Sequence, residues 1–554
     1  MSDFKFSRRH FFYGSLLTAA IPAGGFGSVP SLKTLGYKSP NEKLNLASIG
    51  CGNQPFLDIV NAEADVENVV ALADCDWERG QQGFVTYPNA VKYKDFRKML
   101  DKSGKDIDAV IVGTPDHMHA VCALWCMQAG KHVYVEKPLT RTASEARLLT
   151  QAAAKYQVAT QMGNQGYSHD ATRVACEILW SGEIGEVREV HAWTGGTMWP
   201  QGMTKIPPPT PIPDTLDWDL WLGMAAYRQY TKGDKEYYDF CTKRNSMSVR
   251  GSGKALSIPG TDSISAEVMS MARYEGDFYL PFNWRGFYDF GTGLIGDWGI
   301  HILGPANWAL QLHPKYLISV ECVSKDALPA FTYPDELTLK YEFGARPGMP
   351  PVTIYWYHKK NGDAYLPPGM TVEQARKVQG KGPRVGPVSG RGVPQAAPAG
   401  NASAEGGESA DGRSGAPAGF ARIQQRSGYN CIFVGSKGYM GTAGRGEEVG
   451  LLPGSRWADY KLPAAYLPRS PGASTADNAS AHARDWVRAC KGGAAACSNF
   501  SISGPYAEWV TLGVAAIHAE GRLLWDNTKG EFSSNKDVNK WVTPKFRKGW
   551  EIKL

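Results

Sequence analysis

The chain has 554 residues, which is too long for one ordinary hydrophobic core, so we expect two or more domains. Hydrophobic residues make up 43% of the chain and charged residues 21%, values that are typical of a globular protein. The formal net charge of +6 is spread over 60 basic and 54 acidic residues, with no long run of one sign. A nucleic-acid partner would need a basic stripe, and its absence argues against that class of protein.

The first residues have the pattern of an export signal. Two adjacent arginines, Arg8 and Arg9, precede a short apolar stretch at residues 13–21, which is the order found in a twin-arginine signal peptide. The apolar stretch is much shorter than the ~20 residues that span a bilayer, so we predict no stable membrane anchor. We therefore predict a signal peptide and linker at residues 1–39, with export of the folded protein to the periplasm or another extracytoplasmic compartment.

The chain contains ten cysteines. Because proteins exported in folded form fold in the reducing cytoplasm, we expect mostly free, buried thiols rather than a framework of disulfides. Cys490 and Cys497 are the one pair for which the sequence leaves a disulfide as an alternative.

Short apolar segments alternate with amphipathic segments from residue 44 onward. The strand-like segments are 44–49, 69–73, 108–112, 132–135 and 158–161. Helical spacing occurs between them, at 56–64, 119–129 and 144–156. Repeated strand–helix–strand units predict a doubly wound parallel sheet, and hence an α/β Rossmann domain over residues 40–165.

The pattern changes after about residue 166. A helix-like segment at 171–180 is followed by strand-like segments at 186–194, 316–323, 337–343, 352–357 and 430–435. Strands separated by long connections predict an α+β domain with a largely antiparallel, open-faced sheet, over residues 166–554. Two polar stretches, near 232–272 and 361–420, are predicted to be inserted loops, and helical patterns return at 482–489 and 506–518.

A turn with two glycines, Gly50 and Gly52, closes the first predicted strand and is followed by Asn53. Glycines there let the backbone approach a pyrophosphate, and the N-terminus of the next helix offers free N–H groups. Pro55 occupies the place of a third glycine, which a first helical turn tolerates. Taken alone, the two glycines are equally compatible with a plain tight turn.

Asp74 ends the second predicted strand. An acid at that place accepts hydrogen bonds from an adenosine ribose and repels a 2′-phosphate, which favours NAD over NADP. The alternative is a solvated aspartate at the end of a strand. The order of strand, glycine turn, helix, strand and acid nevertheless predicts dinucleotide binding by Gly50, Gly52, Asn53 and Asp74.

Two further motifs follow the strands at 108–112 and 132–135, where ligands bind in doubly wound folds. They are T-P-D-H-x-H at residues 114–119 and E-K-P at 136–138. Together with D-x-x-x-H at 297–301, they resemble the Gfo/Idh/MocA family, named for glucose–fructose oxidoreductase, inositol dehydrogenase and a rhizopine catabolism protein. The resemblance covers nearly the whole chain after the signal, apart from the two inserted stretches.

The resemblance implies an NAD-dependent oxidoreductase that acts on a sugar, sugar derivative or polyol. It identifies Lys137, Asp297 and His301 as the catalytic group. The family commonly pairs subunits through the open face of its second sheet, which implies a homodimer or tetramer. The motifs add further cofactor contacts to the turn and Asp74, namely Thr114, Pro115, His119, Glu136 and Lys137.

The residue types agree with that chemistry. Asp297 and His301 are four residues apart, so on a helix both project from one face. An imidazole can take a hydroxyl proton near neutral pH, and a lysine ammonium stabilises the developing alkoxide. The alternative is a purely structural pair on a helix, because pairs at this spacing are common.

The histidines and tryptophans raise two further questions, whether a metal is bound and whether a sugar ring stacks on indole. His117 and His119 lack the third and fourth ligands that a zinc site requires, so we predict no metal. A sugar ring has an apolar face that stacks on indole, although core packing explains most single tryptophans. The tryptophans near the segments expected to face the cleft are Trp193, Trp199, Trp218, Trp221, Trp284 and Trp298.

Three functions stay open at this point. The first is a sugar dehydrogenase or redox-neutral sugar enzyme that holds NAD tightly, because an exported enzyme has no soluble NAD pool. The second is a glycosidase or lyase that uses transient oxidation of the sugar by NAD. The third, a carbohydrate-binding protein without activity, is disfavoured because Lys137, Asp297 and His301 are all present.

Overall fold

A computed structural model describes residues 42–64, 66–195, 198–244, 278–359, 364–376, 428–469 and 478–554, with isolated positions at 246, 265, 267, 268, 271 and 383. The predicted signal peptide at 1–39 lies outside the described residues, as do large parts of the predicted loops at 232–272 and 361–420.

The first sheet is entirely parallel. Its strands are β1 (Asn45–Ile49), β2 (Asn68–Ala73), β3 (Val91–Tyr93), β4 (Ala109–Val112), β5 (His132–Glu136) and β6 (Thr160–Gly163). They lie in the order β3-β2-β1-β4-β5-β6. β4 and β5 are buried along their whole length, as expected when helices cover both faces of a parallel sheet. The predicted doubly wound α/β fold is confirmed.

The helices of this region are α1 (Gln54–Glu63), α2 (Gln81–Thr86), α3 (Phe96–Ser103), α4 (Asp116–Gln128) and α5 (Ala143–Tyr156). The segment between β2 and β4 was not assigned from the sequence. Its elements are short, and β3 is an edge strand with two exposed residues, so it lacks a clear apolar alternation. α3 is instead fixed by a local signal, because the side chain of Asp95 accepts a hydrogen bond from the Arg97 amide and caps the helix.

The second sheet is mixed and mostly antiparallel. Its strands are β7 (Val187–Gly195), β8 (Leu317–Lys325), β9 (Leu337–Phe343), β10 (Val352–Lys359), β11 (Cys431–Gly435), β12 (Gly438–Ala443), β13 (Glu448–Leu452), β14 (Arg522–Asp526) and β15 (Glu531–Phe532). They lie in the order β13-β12-β11-β7-β10-β9-β8-β14-β15, and among the described strands of this sheet only β7 and β10 pair in parallel. The predicted antiparallel α+β region is confirmed.

Longer and shorter helices accompany this sheet. They are α6 (Asp170–Trp180), α7 (Trp218–Leu222), α8 (Lys235–Lys243), a π-helical turn (Ile295–Gly299) that continues into α9 (Ile300–Ile302), α10 (Gly304–Ala309), α11 (Gly454–Ala458), α12 (Asn478–Cys490), α13 (Phe500–Ile517) and α14 (Asn539–Val542). Short 3₁₀ turns occur at Gly104–Asp106, Gln165–Ser168, Asn283–Gly286 and Pro314–Tyr316.

α8 corrects the prediction that the stretch near 232–272 is a loop throughout. Asp234 caps this helix by accepting a hydrogen bond from the Tyr237 amide, and Tyr237 and Cys241 bury one face. Two buried residues four positions apart are too few to stand out in a polar sequence, so the periodicity was missed.

The two long C-terminal helices return to the first sheet. α12 packs against α1, and Arg484 donates a hydrogen bond to the carbonyl of Ala62 at 2.8 Å. α13 packs against α5, where Arg147 pairs with Glu508. The second region therefore contacts the Rossmann domain on more than one side, and a cleft lies at their junction.

All ten cysteines are free thiols, so Cys490 and Cys497 form no disulfide. None of the described helices combines the length and the apolar character that crossing a membrane requires.

Candidate active site

The predicted phosphate-binding turn is held close to the neighbouring backbone. Gly50 has a φ of 93°, and a Cβ placed on it would lie 2.9 Å from the carbonyl oxygen of Gly113. A Cβ on Gly52 would overlap the carbonyl oxygen of Arg79. The turn thus requires glycine at both positions for steric reasons, and it leaves a backbone cradle at the start of α1 that fits a pyrophosphate.

Pro55 fills the place of the missing third glycine. It lies in the first turn of α1, and a Cβ on Gly113 would overlap its ring. Gly113, which follows β4, has no side chain and so leaves room for the ring of Pro55 on α1. Strand and helix therefore approach closely without a glycine on the helix.

Asp74 lies beside the turn and supports it. One carboxylate oxygen accepts a hydrogen bond from the Cys51 amide at 2.9 Å, and the other accepts from the Asp76 amide at 3.0 Å. Burial, opposed by these hydrogen bonds and reinforced by the charge of Asp76, raises the pKa of Asp74 to about 7. Each oxygen keeps a lone pair for a ribose hydroxyl. The tie to the Cys51 amide is a second role that the sequence did not indicate.

One cleft joins this turn to the predicted catalytic group. It is also lined by aromatic residues from later segments, including Trp221, Trp284 and Trp550, and the guanidinium of Arg97 lies over the Trp550 ring at 4.4 Å. Every predicted cofactor-binding and catalytic residue lines this cleft: Gly50, Gly52, Asn53, Asp74, Thr114, Pro115, His119, Glu136, Lys137, Asp297 and His301.

Asp297 lies between two cations. Lys137 forms an ion pair with it, and Arg285 Nε donates to the same carboxylate oxygen, Oδ1, at 3.0 Å. Burial alone would raise the pKa of Asp297, but the charges of Lys137 and Arg285 outweigh burial and lower it. Asp297 therefore stays ionised and fixes the position of the Lys137 ammonium.

His301 lies on α9, directly after the π-helical turn that carries Asp297. Its Nδ1 is buried without a hydrogen-bond partner among the described residues, and its ring centroid lies 6.1 Å from that of Trp298. Burial and the charges of Arg445 and Lys137 hold the pKa of His301 well below its ordinary value. The imidazole is therefore neutral at pH 7 and can accept a proton.

The charged residues that the sequence missed include three that lie near the predicted catalytic group. Arg285 and Arg445 line the cleft, and neither belongs to a recognisable motif. Asp116 lies within the T-P-D-H-x-H motif and accepts hydrogen bonds from the amide and hydroxyl of Thr292, at 3.1 and 2.8 Å. Burial, opposed by Arg285 and these hydrogen bonds, raises the pKa of Asp116 to about 7. The motif position was the only available signal.

The tryptophans divide into two groups. Trp221, Trp284 and Trp298 line the cleft, and Arg285 lies 4.2 Å over the Trp284 ring. Trp193 and Trp199 are fully buried in the core, which excludes them from a substrate platform. The last of the six, Trp218, stacks on Trp221 with a centroid distance of 4.8 Å.

The two histidines of the T-P-D-H-x-H motif contact backbone. His117 Nε2 lies 3.0 Å from the carbonyl of Trp221, and His119 Nε2 lies 2.7 Å from that of Thr114. Within the part of the chain that the structure describes, no group of three or more His, Cys, Asp or Glu side chains is arranged to hold a metal ion. His119 lines the cleft, and His117 packs among Trp221 and Phe290.

Comparison with known sequences identifies the first domain. The protein-family model described as "Oxidoreductase family, NAD-binding Rossmann fold" (Gfo/Idh/MocA) matches residues 44–164. A dTDP-3,4-didehydro-2,6-dideoxy-alpha-D-glucose 3-reductase of Saccharopolyspora spinosa is 32% identical, over 31% of this chain and 48% of the relative. Inositol 2-dehydrogenase 1 of Saccharopolyspora erythraea is 33% identical, over 22% and 36%. The chain thus spans half or less of these relatives.

Among solved structures, the WlbA dehydrogenase from Bordetella pertussis, in complex with NADH and UDP-GlcNAcA, is 11% identical with a TM-score of 0.49 and covers 88% of this chain and 99% of its own. An inositol dehydrogenase homolog from Azotobacter vinelandii, complexed with NAD+, is 15% identical with a TM-score of 0.47 and covers 88% and 99%. Residues 44–164 are thus similar to the NAD-binding Rossmann domain of the Gfo/Idh/MocA oxidoreductase family.

Proposed function

We propose that the protein is an NAD-dependent oxidoreductase that acts on a CH–OH group of a sugar, sugar derivative or polyol. The observation that carries this proposal is the junction of Lys137, Asp297 and His301 in one cleft with the glycine turn. A structural role alone would not require a neutral histidine and an ion-paired lysine to line the cleft that the cofactor cradle also lines.

NAD, when bound in the cleft, supplies the hydride acceptor for this reaction. We assign His301 as the general base because it lines the cleft beside Lys137 and Asp297. Burial and the charges of Arg445 and Lys137 lower its pKa, so the imidazole is neutral at pH 7 and one ring nitrogen has a lone pair for the substrate proton.

Lys137 stabilises the negative charge that develops on the substrate oxygen as the proton leaves. Asp297 orients the ammonium through their ion pair, and Arg285 donates to the same carboxylate oxygen and holds Asp297 in place. The three residues form a rigid unit at 10 to 18% side-chain exposure, so the charge is preorganised before the substrate binds.

The activity is tested with purified protein, NAD and a panel of sugars, sugar acids and polyols, by following the absorbance of the reduced cofactor. Turnover that is lost in Lys137→Ala and kept in Lys155→Ala, an exposed lysine on α5, supports the proposal. A release assay on glycosides without added cofactor tests the alternative glycosidase or lyase activity. If aglycone is released and no NADH accumulates, the protein is a glycosidase or lyase and not the proposed dehydrogenase.

We further propose that the cofactor is tightly held and that the protein is exported with it. What supports this proposal is that the cleft has walls from the Rossmann domain, from Trp550 and from a third segment that comprises Leu280, Pro281, Phe282, Trp284 and Arg285. An extracytoplasmic enzyme without an NAD pool would need a Kd in the nanomolar range, about −12 kcal/mol. Stoichiometric NAD in protein that was purified and denatured without added cofactor supports this proposal, and empty protein contradicts it.

We also propose that the protein forms a homodimer or tetramer through the open face of the second sheet. Residues alternate between buried and half-buried along β9 and β10, so one face of the sheet is left uncovered in the single chain. Exposed apolar residues accompany it on β8 and β14, namely Ile318, Val323 and Leu524. Light scattering at micromolar concentration tests the proposal, and a monomer contradicts it.

A further inference from the structure

The catalytic end of the cleft carries more positive than negative charge. Three cationic side chains line it, Lys137, Arg285 and Arg445. Asp297 is ionised and pairs with Lys137 and Arg285 together, so this trio alone keeps one positive charge. Arg445 adds a second, and among the residues that the structure describes it forms no ion pair.

The charge of Arg445 acts on the buried carboxyl group of Glu136, but the two side chains form no ion pair in the described part of the chain. Glu136 accepts its hydrogen bonds from Gln165 Nε2 and from the Lys137 amide, both at 3.1 Å. Burial raises the pKa of Glu136 although the charges of Lys137 and Arg445 lower it. Burial and the charge of Glu136 raise the pKa of Asp58, and burial raises the pKa of Asp116 to about 7. Glu136 is thus already bound by other donors, and Arg445 has no ion-pair partner within the described ranges.

Arg445 is delivered to the cleft by a fixed turn rather than by a mobile loop. It lies in the turn between β12 and β13, where its carbonyl packs so closely on Gly166 that a Cβ on that glycine would overlap it. Thr172 Oγ1 donates a hydrogen bond to the carbonyl of Gly446 at 3.1 Å, and Asn430 Nδ2 donates to that of Gly444 at 3.2 Å. The backbone that carries the Arg445 side chain thus has a defined position.

That position is next to the reacting group. The Cζ of Arg445 lies 6.0 Å from the centroid of the Trp298 ring, and the Trp298 ring lies 6.1 Å from the ring of His301. A planar guanidinium that is held in place and lacks a carboxylate partner is suited to bidentate binding of an oxyanion. A cationic side chain that lines a cleft without an ion-pair partner among the described residues is stabilised when an anion binds there.

We propose that the substrate is an anionic sugar, with a carboxylate as the group that Arg445 binds beside His301. This inference deepens the proposed oxidoreductase function and rests on it for the identity of the reaction. A sugar carboxylate and a sugar phosphate both present an oxyanion to an arginine, so the experiment includes both kinds of sugar. The alternative location for an oxyanion is the glycine turn, but Arg445 lies beside the catalytic histidine instead.

The test measures binding directly, by calorimetry on the full chain with NAD present. The probes are matched sets in two configurations: glucose, glucuronate and glucose 6-phosphate, and galactose, galacturonate and galactose 6-phosphate. Wild-type protein is compared with Arg445→Gln, Arg445→Lys and a control, Arg188→Gln, which removes an exposed arginine paired with Glu186. NAD affinity is measured for every variant.

We expect at least one uronate to bind about 10- to 100-fold more tightly than its neutral sugar, as for a charge-assisted hydrogen-bonded pair. Arg445→Gln should bring the two within about twofold, Arg445→Lys should keep part of the preference, and Arg188→Gln should keep all of it. A preference for the phosphates alone would replace the carboxylate by a phosphoryl group and overturn the proposal as stated.

Two other results would overturn it. One is that acid binding does not depend on Arg445. Neutral and acidic sugars would then bind equally well to the wild type, or the preference for acidic sugars would persist in Arg445→Gln. The other is a loss of NAD affinity in Arg445→Gln, which would assign Arg445 to the cofactor. If the acid preference depends on Arg445 but no sugar is oxidised, the anion site stands and the proposed reaction is the part that fails.

Discussion

The glycine turn and the catalytic group line the same cleft but are built in different ways. The turn is made of consecutive backbone between β1 and α1, and its shape depends on close backbone contacts at Gly50 and Gly52. The catalytic group is made of side chains brought together from distant segments, with Lys137 after β5 and Asp297 in the π-helical turn. The proposed cofactor site is thus specified locally, whereas the charges of the proposed substrate site are specified by the tertiary fold.

If the shape of the turn depends on backbone contacts, Gly52→Ala should reduce NAD binding more than any other variant considered. The added Cβ would overlap the carbonyl of Arg79, which is backbone and cannot move without displacing its own turn. We expect loss of NAD binding, measured by calorimetry and by cofactor content, with a lowered Tm. Gly104→Ala is the matched control, because nothing lies within 4 Å of its added Cβ. Stoichiometric NAD in the Gly52 variant would show that the turn tolerates side chains.

If the substrate end depends on side-chain chemistry, His301→Ala and Lys137→Ala should lower kcat by about 10²- to 10⁴-fold while NAD stays bound. The expected separation of kcat from cofactor binding is what distinguishes this end of the cleft from the turn. Steady-state kinetics and cofactor content on the same samples measure both quantities. Full turnover in either variant would remove that residue from the catalytic group.

Asp74 allows a finer test, because it both supports the turn and faces the cleft. Asp74→Ala should weaken NAD binding by about 1–3 kcal/mol, through loss of hydrogen bonds, and relax discrimination against NADP. Asp74→Asn keeps an acceptor for the Cys51 amide but removes the charge. It should therefore relax discrimination with a smaller loss of NAD affinity. Wild-type protein that prefers NADP would contradict the assignment of Asp74 to the ribose.

The smallest expected effect concerns pH. The pKa of His301 is lowered by burial and by the charges of Arg445 and Lys137, so the neutral base persists below the ordinary histidine range and kcat/KM should fall only at lower pH. Arg445→Gln removes a positive charge, favours the imidazolium and should move this acid limb to higher pH. Since burial is the larger cause, we expect a shift of under about one pH unit. If the acid limb of the kcat/KM profile moves to lower pH in Arg445→Gln, His301 is not the group that titrates in this limb.

Much of the fold could be predicted from the sequence, because it follows from short-range patterns. Buried parallel strands give continuous apolar runs, and β9 was predicted at the observed residues because its residues alternate between buried and half-buried. β12, with the sequence Gly438–Ala443, contains two glycines and gives no such pattern. The Arg445 turn that follows it was missed for the same reason.

The site was predictable where a motif is contiguous and not elsewhere. The predicted cofactor and catalytic residues all line one cleft, since each follows a strand end or lies in a short motif. Arg285 and Arg445 are single arginines in segments without a pattern, and only the tertiary fold shows that they face Asp297 and Trp298. The π-helical turn at Asp297 was also invisible, because a four-residue spacing indicates an ordinary helix.

The position of Trp550 in the cleft has a consequence for biosynthesis. The glycine turn leaves the ribosome early, whereas Trp550 and the helices that pack on α1 and α5 are translated last. A nascent chain with a complete first sheet still lacks part of the wall around the cofactor. If a dinucleotide binds in this cleft, Trp550 can contribute to its enclosure only after synthesis of the chain is nearly finished.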